Sequence, residues 1–370
     1  MQRTLNNHAV KKTFYFLFAL CFGLATVANA TIIQVNNNPD AAADYSSLQQ
    51  AIDNANAGDT LYIAGSASFY DGTNSTIRLN KELTLLGPGY LFVENGNSQQ
   101  NNQTAKLYRL IVGEGADNSL ISGIQIEGDF GNAHISLQST KRDGSNGTTG
   151  PSNVVIERSL LDRVLVNSAS QTVIQHNYFL DDRSSIIFVD KFALGVIIQN
   201  NIINAPTPAI YGDPFAFEVQ PNLVIRNNVL HGSIQEINGA EIYNNIFPDN
   251  RGLVESDNNQ LKNNVFTSAV GIVVDAKSDG NSLADNVFSV TQSDLFVLDV
   301  PLVDKDYVLD DNSPAKGVGL SGVDAGAFGG SSPYRISGLP SIPRITELTT
   351  TGVGTTESGI KVTIKARSNQ

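Results

Sequence analysis

The chain has 370 residues, 41% of them hydrophobic, with 24 Lys and Arg against 36 Asp and Glu and a single cysteine, Cys21. A net charge of −12 excludes a nucleic-acid binder, which needs a basic surface for phosphate. One cysteine excludes an internal disulfide and a thiolate metal site.

Residues 1–30 read as a secretory signal peptide. Arg3, Lys11 and Lys12 form a basic head, Thr13 to Val27 is a short apolar run, and Ala28-Asn29-Ala30 has the small-x-small form of a cleavage site. Export to the periplasm, cell surface or exterior follows. The leader carries three of the basic residues, so the remainder sets 21 basic against 36 acidic side chains, a charge of about −15. No second apolar run approaches the roughly eighteen residues of a membrane span.

Residues 31–66 form an N-terminal cap. Ile32 to Val35 is a strand; Ser46 or Ser47, each followed three residues later by Gln, offers a capping box. Leu48, Ala51, Ile52 and Ala55 then fall at helical spacing, Ala57-Gly58-Asp59 stops the helix, and Thr60 begins another strand. A repeat stack needs such a cap, because its end otherwise exposes core side chains.

From Leu83 onward the chain consists of short β-rich runs broken by Gly, Asn and Asp. One pattern recurs: an aliphatic residue, a free position, a polar pair, then two apolar residues. It stands at Ile198 to Ile203, Ile225 to Leu230, Ile242 to Phe247, Leu261 to Phe266 and Leu283 to Phe288, with earlier copies at Ile156 to Leu161 and Ile174 to Phe179 and a weak one at Leu120 to Gln125. The second residues of the pairs lie at 123, 159, 177, 201, 228, 245, 264 and 286, at intervals of 36, 18, 24, 27, 17, 19 and 22. Spacing near twenty with variable excess indicates a solenoid that keeps its strands and varies its loops. In a parallel stack like residues lie over like, so Ile156, Ile174, Ile198, Ile225, Ile242, Leu261 and Leu283 are expected to point inward. The pair marks a bend, since Asn tolerates the left-handed conformation. Asn177, Asn201, Asn228, Asn245, Asn264 and Asn286 are candidates for a stacked amide ladder; which Asn of each pair turns and which stacks is left open.

Loops are expected at 94–106, 138–152 and 205–221, and the stack is expected to end near 305–330. Residues 331–370 form a separate tail with two alternating runs, Ile345 to Thr350 and Ile360 to Ala366, that suit a hairpin. Arg335, Arg344, Lys361, Lys365 and Arg367 against Glu347 and Glu357 make the tail basic, suited to docking on the acidic body.

Two further stretches carry a resemblance. Leu48-Gln49-Gln50-Ala51-Ile52 with Ala57 to Ile63 resembles the N-terminal cap of pectate-lyase-like right-handed parallel β-helices. Asn312-Ser313-Pro314-Ala315 with Val323 to Gly329 is similar to the closing coil of exported bacterial members. With the repeat, the resemblance covers residues 31–330. It implies an all-β fold: a single-stranded right-handed parallel β-helix at 67–330, of about ten coils, with an N-terminal capping helix and a C-terminal β-rich tail. That superfold hosts lyases, hydrolases, esterases and adhesins, so function must come from the site.

The signatures of the enzymatic branches are missing. There is no Trp, no Trp-Ile-Asp-His and no Arg-x-Pro-x-x-Arg; of the polygalacturonase motifs only Asp181-Asp182 and His231-Gly232 are echoes. A β-eliminating site needs a base and a cation near the uronate carboxylate. Its candidates are Arg158, His176, Asp181, Asp182, Arg183 and Lys191, with Arg163 and Lys141-Arg142 nearby; the competing reading is solvated turns and surface ion pairs. Tyr211, Phe215 and Phe217 are candidates for stacking on sugars, with core or loop-anchoring aromatics as the default. Asp304, Asp306, Asp310 and Asp311 could hold calcium, though a solvated acidic loop fits them better; His134, His176 and His231 lack metal spacing.

The sequence thus predicts a non-catalytic, carbohydrate-facing or surface-interaction protein with a polysaccharide or cell-surface glycan as partner and no cofactor. A polysaccharide lyase acting on uronate polymers and a ligand-free spacer are the alternatives. Function, where local, is expected at Arg158 and His176, where Asn is replaced, and in the loops that stretch the spacing.

Overall fold

The computed structural model describes residues 30–128, 134–140, 149–180, 187–204, 208–213, 222–298, 303–350, 352, 354–356 and 359–368. Residues 1–29 of the expected leader, Lys141-Arg142, and the candidates Asp181, Asp182, Arg183, Phe215 and Phe217 lie outside them.

Each turn of the chain gives one short strand to each of three parallel sheets, of eleven, eight and eight strands. One coil runs through Val155–Glu157, Leu160–Leu161 and Val164–Val166, and the next opens at Val173–Gln175 directly over the first strand. Short strands suffice because every interior coil is hydrogen-bonded above and below, and the inward column closes a continuous core. Ile121, Ile156, Ile174, Ile198, Ile225, Ile242 and Leu261 are all fully buried in it. Leu283 departs from the expectation and is 41% exposed, because its strand is the last of its sheet and no coil covers it.

The register corrects one repeat. Ile121, not Leu120, lies beside Ile156, and Gly123 takes the place of Arg158. The weak copy therefore begins one residue later than the spacing suggests, because glycine here does the turning that a polar residue does elsewhere.

The polar pairs divide their work. Arg158, His176, Asn200, Asn227, Asn244, Asn263 and Asp285, the first members, all have φ between 50° and 57° and turn the chain from the first sheet to the second. The second members stack. Asn201 donates its side-chain amide to Asn228 Oδ1 at 3.0 Å, and its backbone N–H reaches the same oxygen at 2.9 Å. Asn177, Asn228, Asn245 and Asn264 repeat both bonds to the next coil.

At the N-terminus the helix Leu48–Asn54 packs Leu48, Ala51 and Ile52 into the core; Ser47 is its N-cap and accepts from Gln50 N at 3.1 Å. The strands on either side of it, Ile32–Val35 and Thr60–Ile63, are the first two members of the long sheet, so the coils begin at residue 32 rather than beyond 66.

The other end overturns an expectation. Backbone bonding of the stack stops at Val290, which donates to Phe266 O, and residues 303–343 are not a closing coil. They reverse direction and run back along the outside as a strap. Its anchor points descend through the coils: Val318 O accepts from Asn263 Nδ2, Leu320 N donates to Asn244 Oδ1, and Ala327 O and Gly329 O accept from Asn200 Nδ2. Ser332 then meets His176, and Ser341 meets Arg158. Tyr307, Leu309, Ala315, Ala325, Ala327 and Tyr334 of this return segment, with Leu295 and Phe296 just before it, pack with Tyr178, Ile202, Val229, Ile246 and Val265, the outward side chains of the second sheet. Gly338 is required where the strap crosses the bend: its φ is +55°, and a Cβ there would lie 2.1 Å from Arg158 O.

Asp304 fastens the strap and does not lie in a solvated loop. It is fully buried and accepts from Ser337 N at 2.8 Å, Tyr334 OH at 3.0 Å and Asn95 Nδ2 at 2.5 Å. The tail ends in an antiparallel hairpin of Arg344–Thr350 and Val362–Arg367, held to the body where Arg344 donates to Asn97 O at 2.6 Å.

Candidate functional site

Arg158 and His176 stand where a basic side chain replaces the first Asn of the pair, and the strap occupies both. Arg158 donates from an NH1 nitrogen to Ser341 Oγ at 3.0 Å and pairs with Glu157 at 3.4 Å. His176 is buried, with Nε2 2.8 Å from Ser332 O. Lys191 lies on a different corner, in the turn from the third sheet to the first, 3.4 Å from Asp213. Arg158 and His176 thus stand at one bend in successive coils and Lys191 at another, and the first two join Asn200, Asn244 and Asn263 as anchors of the strap.

That anchorage is pH-dependent. Burial holds the His176 imidazole below the usual histidine value and Arg158 and Arg335 push the same way, against the Ser332 carbonyl and Glu157. His176 is thus neutral in the folded chain, while the unfolded chain takes up a proton as pH falls through about 6.5. The contribution of His176 to stability is full above that value and diminishes as pH falls from it toward the lower folded value. Lowering pH from about 7.5 to about 5.5 should lower the urea midpoint of the wild type, and His176→Asn, which copies the anchor at Asn200, should show a smaller drop. Equal drops in both chains would show that His176 is not the sensor.

With the second sheet covered, the outer face of the third sheet is the open surface with the most distinctive chemistry. Register places Ser136, Leu165, Phe188, Tyr211, Gln235 and Val254 in one outward row. Phe188 and Tyr211 sit one above the other in successive coils, ring centroids 6.1 Å apart and planes tilted by 33°. Both are half-buried, as are Leu165 below them and Gln235 above. Phe192 and Leu194, in the turn that follows the Phe188 strand, are among the most exposed apolar side chains described. Tyr211 was a candidate as an aromatic of the expected loop 205–221 and lies instead in the strand Ile210–Gly212; Phe188 was missed because it falls in a strand without an Asn pair.

Beyond Tyr211 the row ends in charge. Glu236 and Glu255 follow the row residues Gln235 and Val254 in successive coils and both have positive φ. Burial and the hydrogen bond and charge of Glu255 hold the Glu236 carboxyl above the usual range. Glu255 is held below it, first by its bond to Lys277. Burial, then Glu236, Glu255 and Asp213, raise the Tyr211 phenol. Two carboxyl groups thus stand in successive coils beside the aromatic row, with Lys277 on the outer one. Among the described residues no group of three or more His, Cys, Asp or Glu could hold a metal, and no helix is long and apolar enough to cross a membrane.

Three parallel sheets wound by one chain define the class of protein: a parallel β-helix. Among solved structures the chain is similar to a PL6 family alginate lyase, at 16% identity and a TM-score of 0.42, over 64% of this chain and 35% of that one. It thus spans little more than a third of the lyase. A pectin methylesterase from Aspergillus niger is similar over 77% of this chain and 95% of that one, at 13% identity and a TM-score of 0.28. A GH136 lacto-N-biosidase from Eubacterium ramulus is similar over 76% and 60%, at 10% identity and a TM-score of 0.27. No protein-family model and no curated protein matches the chain. The fold assignment rests on the strand pairing itself.

Proposed function

We propose that this is an exported β-helix protein that binds a polysaccharide along the outer face of its third sheet without cleaving it. The observation that carries the reading is the outward row of Leu165, Phe188 and Tyr211, with the two rings adjacent in successive coils. Flat apolar faces of this kind suit the C–H faces of pyranose rings, and Gln235 with the Lys191–Asp213 pair offers hydrogen bonds at the margin. The rim is predominantly acidic, with Asp213, Glu236 and Glu255 against Lys191 and Lys277, so it favours a neutral glycan over a polyanion.

The Glu236–Glu255 pair invites a hydrolytic reading. Glycoside hydrolysis, however, needs its two carboxyl groups about 5 to 9.5 Å apart, with sugar or water between them. Glu236 instead lies within hydrogen-bond reach of Glu255, and Glu255 is engaged by Lys277, so neither stands apart as the second catalytic carboxyl. Affinity electrophoresis on neutral and uronate polymers tests the proposal. Retention should be stronger on a neutral gel, and Tyr211→Ala or Phe188→Ala should weaken it about tenfold or more. Undiminished retention in both variants would sink the assignment to this face; release of reducing or unsaturated ends would replace binding with cleavage.

A further inference from the structure

Four arginines meet at one cleft on this acidic protein. Arg158 comes from the bend between the first and second sheets, Arg335 from the strap, and Arg344 and Arg367 from the two strands of the hairpin. The cleft they line measures about 500 Å³ and has Tyr334, Phe328 and Leu339 in its walls. We propose that it is an oxyanion-binding site, for a carboxylate or sulfate group on a ligand about the size of one sugar unit.

Three observations support this, and none depends on the third-sheet face. First, Arg344 and Arg367 are direct cross-strand partners. Like charges directly opposite each other destabilise a sheet unless an anion lies between or beside them. Second, Arg344 is only 9% exposed, and its known partners, Asn97 O and Oδ1, are neutral. Its Nε has no hydrogen-bond partner among the described residues. A buried guanidinium whose partners are neutral is costly without a counter-charge, and an anion in the cleft would supply one. Third, the Nε of Arg158 also makes no hydrogen bond, although Glu157 lies within ion-pair distance of it. The planar guanidinium fork matches carboxylate and sulfate oxygens, which is why arginine rather than lysine lines such sites. The volume falls within the range of small-molecule pockets.

Isothermal titration of the full chain at low salt tests the site, with inorganic sulfate, galacturonic acid and galactose as probes. One sulfate or galacturonate should bind per chain, galactose should not, and affinity should fall as salt rises. Arg367→Gln should weaken binding about tenfold or more. Arg367 is exposed at the chain's last strand, so this variant should keep the wild-type thermal midpoint; Arg158→Gln, on the body side, is the second probe. Galacturonate bound more tightly than sulfate assigns the cleft to an acidic sugar, and equal affinities assign it to a free oxyanion. Absence of binding by both anions at millimolar concentration, or wild-type affinity in both variants, would overturn the proposal.

Discussion

Asn228→Ala should cost the β-helix about 4 kcal/mol, read as a lowered urea midpoint, whereas Asn227→Gly should cost less than about 1 kcal/mol. The two residues are adjacent and chemically identical, so the contrast isolates position. The Asn228 amide donates to Ile198 O at 2.9 Å, Arg226 O at 2.9 Å and Asn245 Oδ1 at 3.0 Å. Its oxygen accepts both the backbone N–H and the side chain of Asn201. The site is fully buried, so alanine strands at least one backbone donor and one backbone acceptor away from water, at about 1–3 kcal/mol each. Asn227 has a φ of 53°, which glycine adopts freely, and its side-chain nitrogen has no partner to lose. Equal destabilisation by the two substitutions would mean that bending, not stacking, is what the pair supplies.

That division of labour was only half legible in the sequence. The recurring pair announces a stack because each coil must repeat the geometry of the last. It does not announce which member bends, since Asn suits both the left-handed conformation and an amide ladder. The handover is visible at Gly123, which bends without an amide and is followed by Ile124, whose N–H finds Ser159 Oγ instead of an Asn oxygen. The strap was hidden for a different reason. Its Gly, Pro and Ala content looks like turns in a final coil, and nothing local encodes that it runs against the stacking direction. A signal for it was nevertheless present in the two apolar residues after each pair. Ile203, Leu230, Phe247 and Phe266 face the core, while their neighbours Ile202, Val229, Ile246 and Val265 face outward. A strand that is apolar on both faces is covered on both faces.

Truncation after Val290 should therefore give a chain that aggregates or binds a hydrophobic dye, even though every coil of the stack remains. Removing the strap uncovers Tyr178, Ile202, Val229, Ile246 and Val265 in one column. Each such side chain is worth about 1.5–3 kcal/mol when buried, so burial on the order of 10 kcal/mol is lost, an upper value because unfolded chains already bury some surface. It also leaves a contiguous apolar stripe beside polar Asn side chains that have lost their strap carbonyls. The same truncation carrying Thr at 202, 229, 246 and 265 should regain solubility, because it removes the stripe while keeping β-branched side chains in the strands. A soluble, dye-silent truncated chain without those changes would mean that the strap is not the cover of the second sheet. Failure of the Thr variant to recover solubility would place the defect in the lost Asn and His176 anchors instead. The two chains together separate apolar coverage from hydrogen-bonded anchorage as the reason this β-helix doubles back on itself.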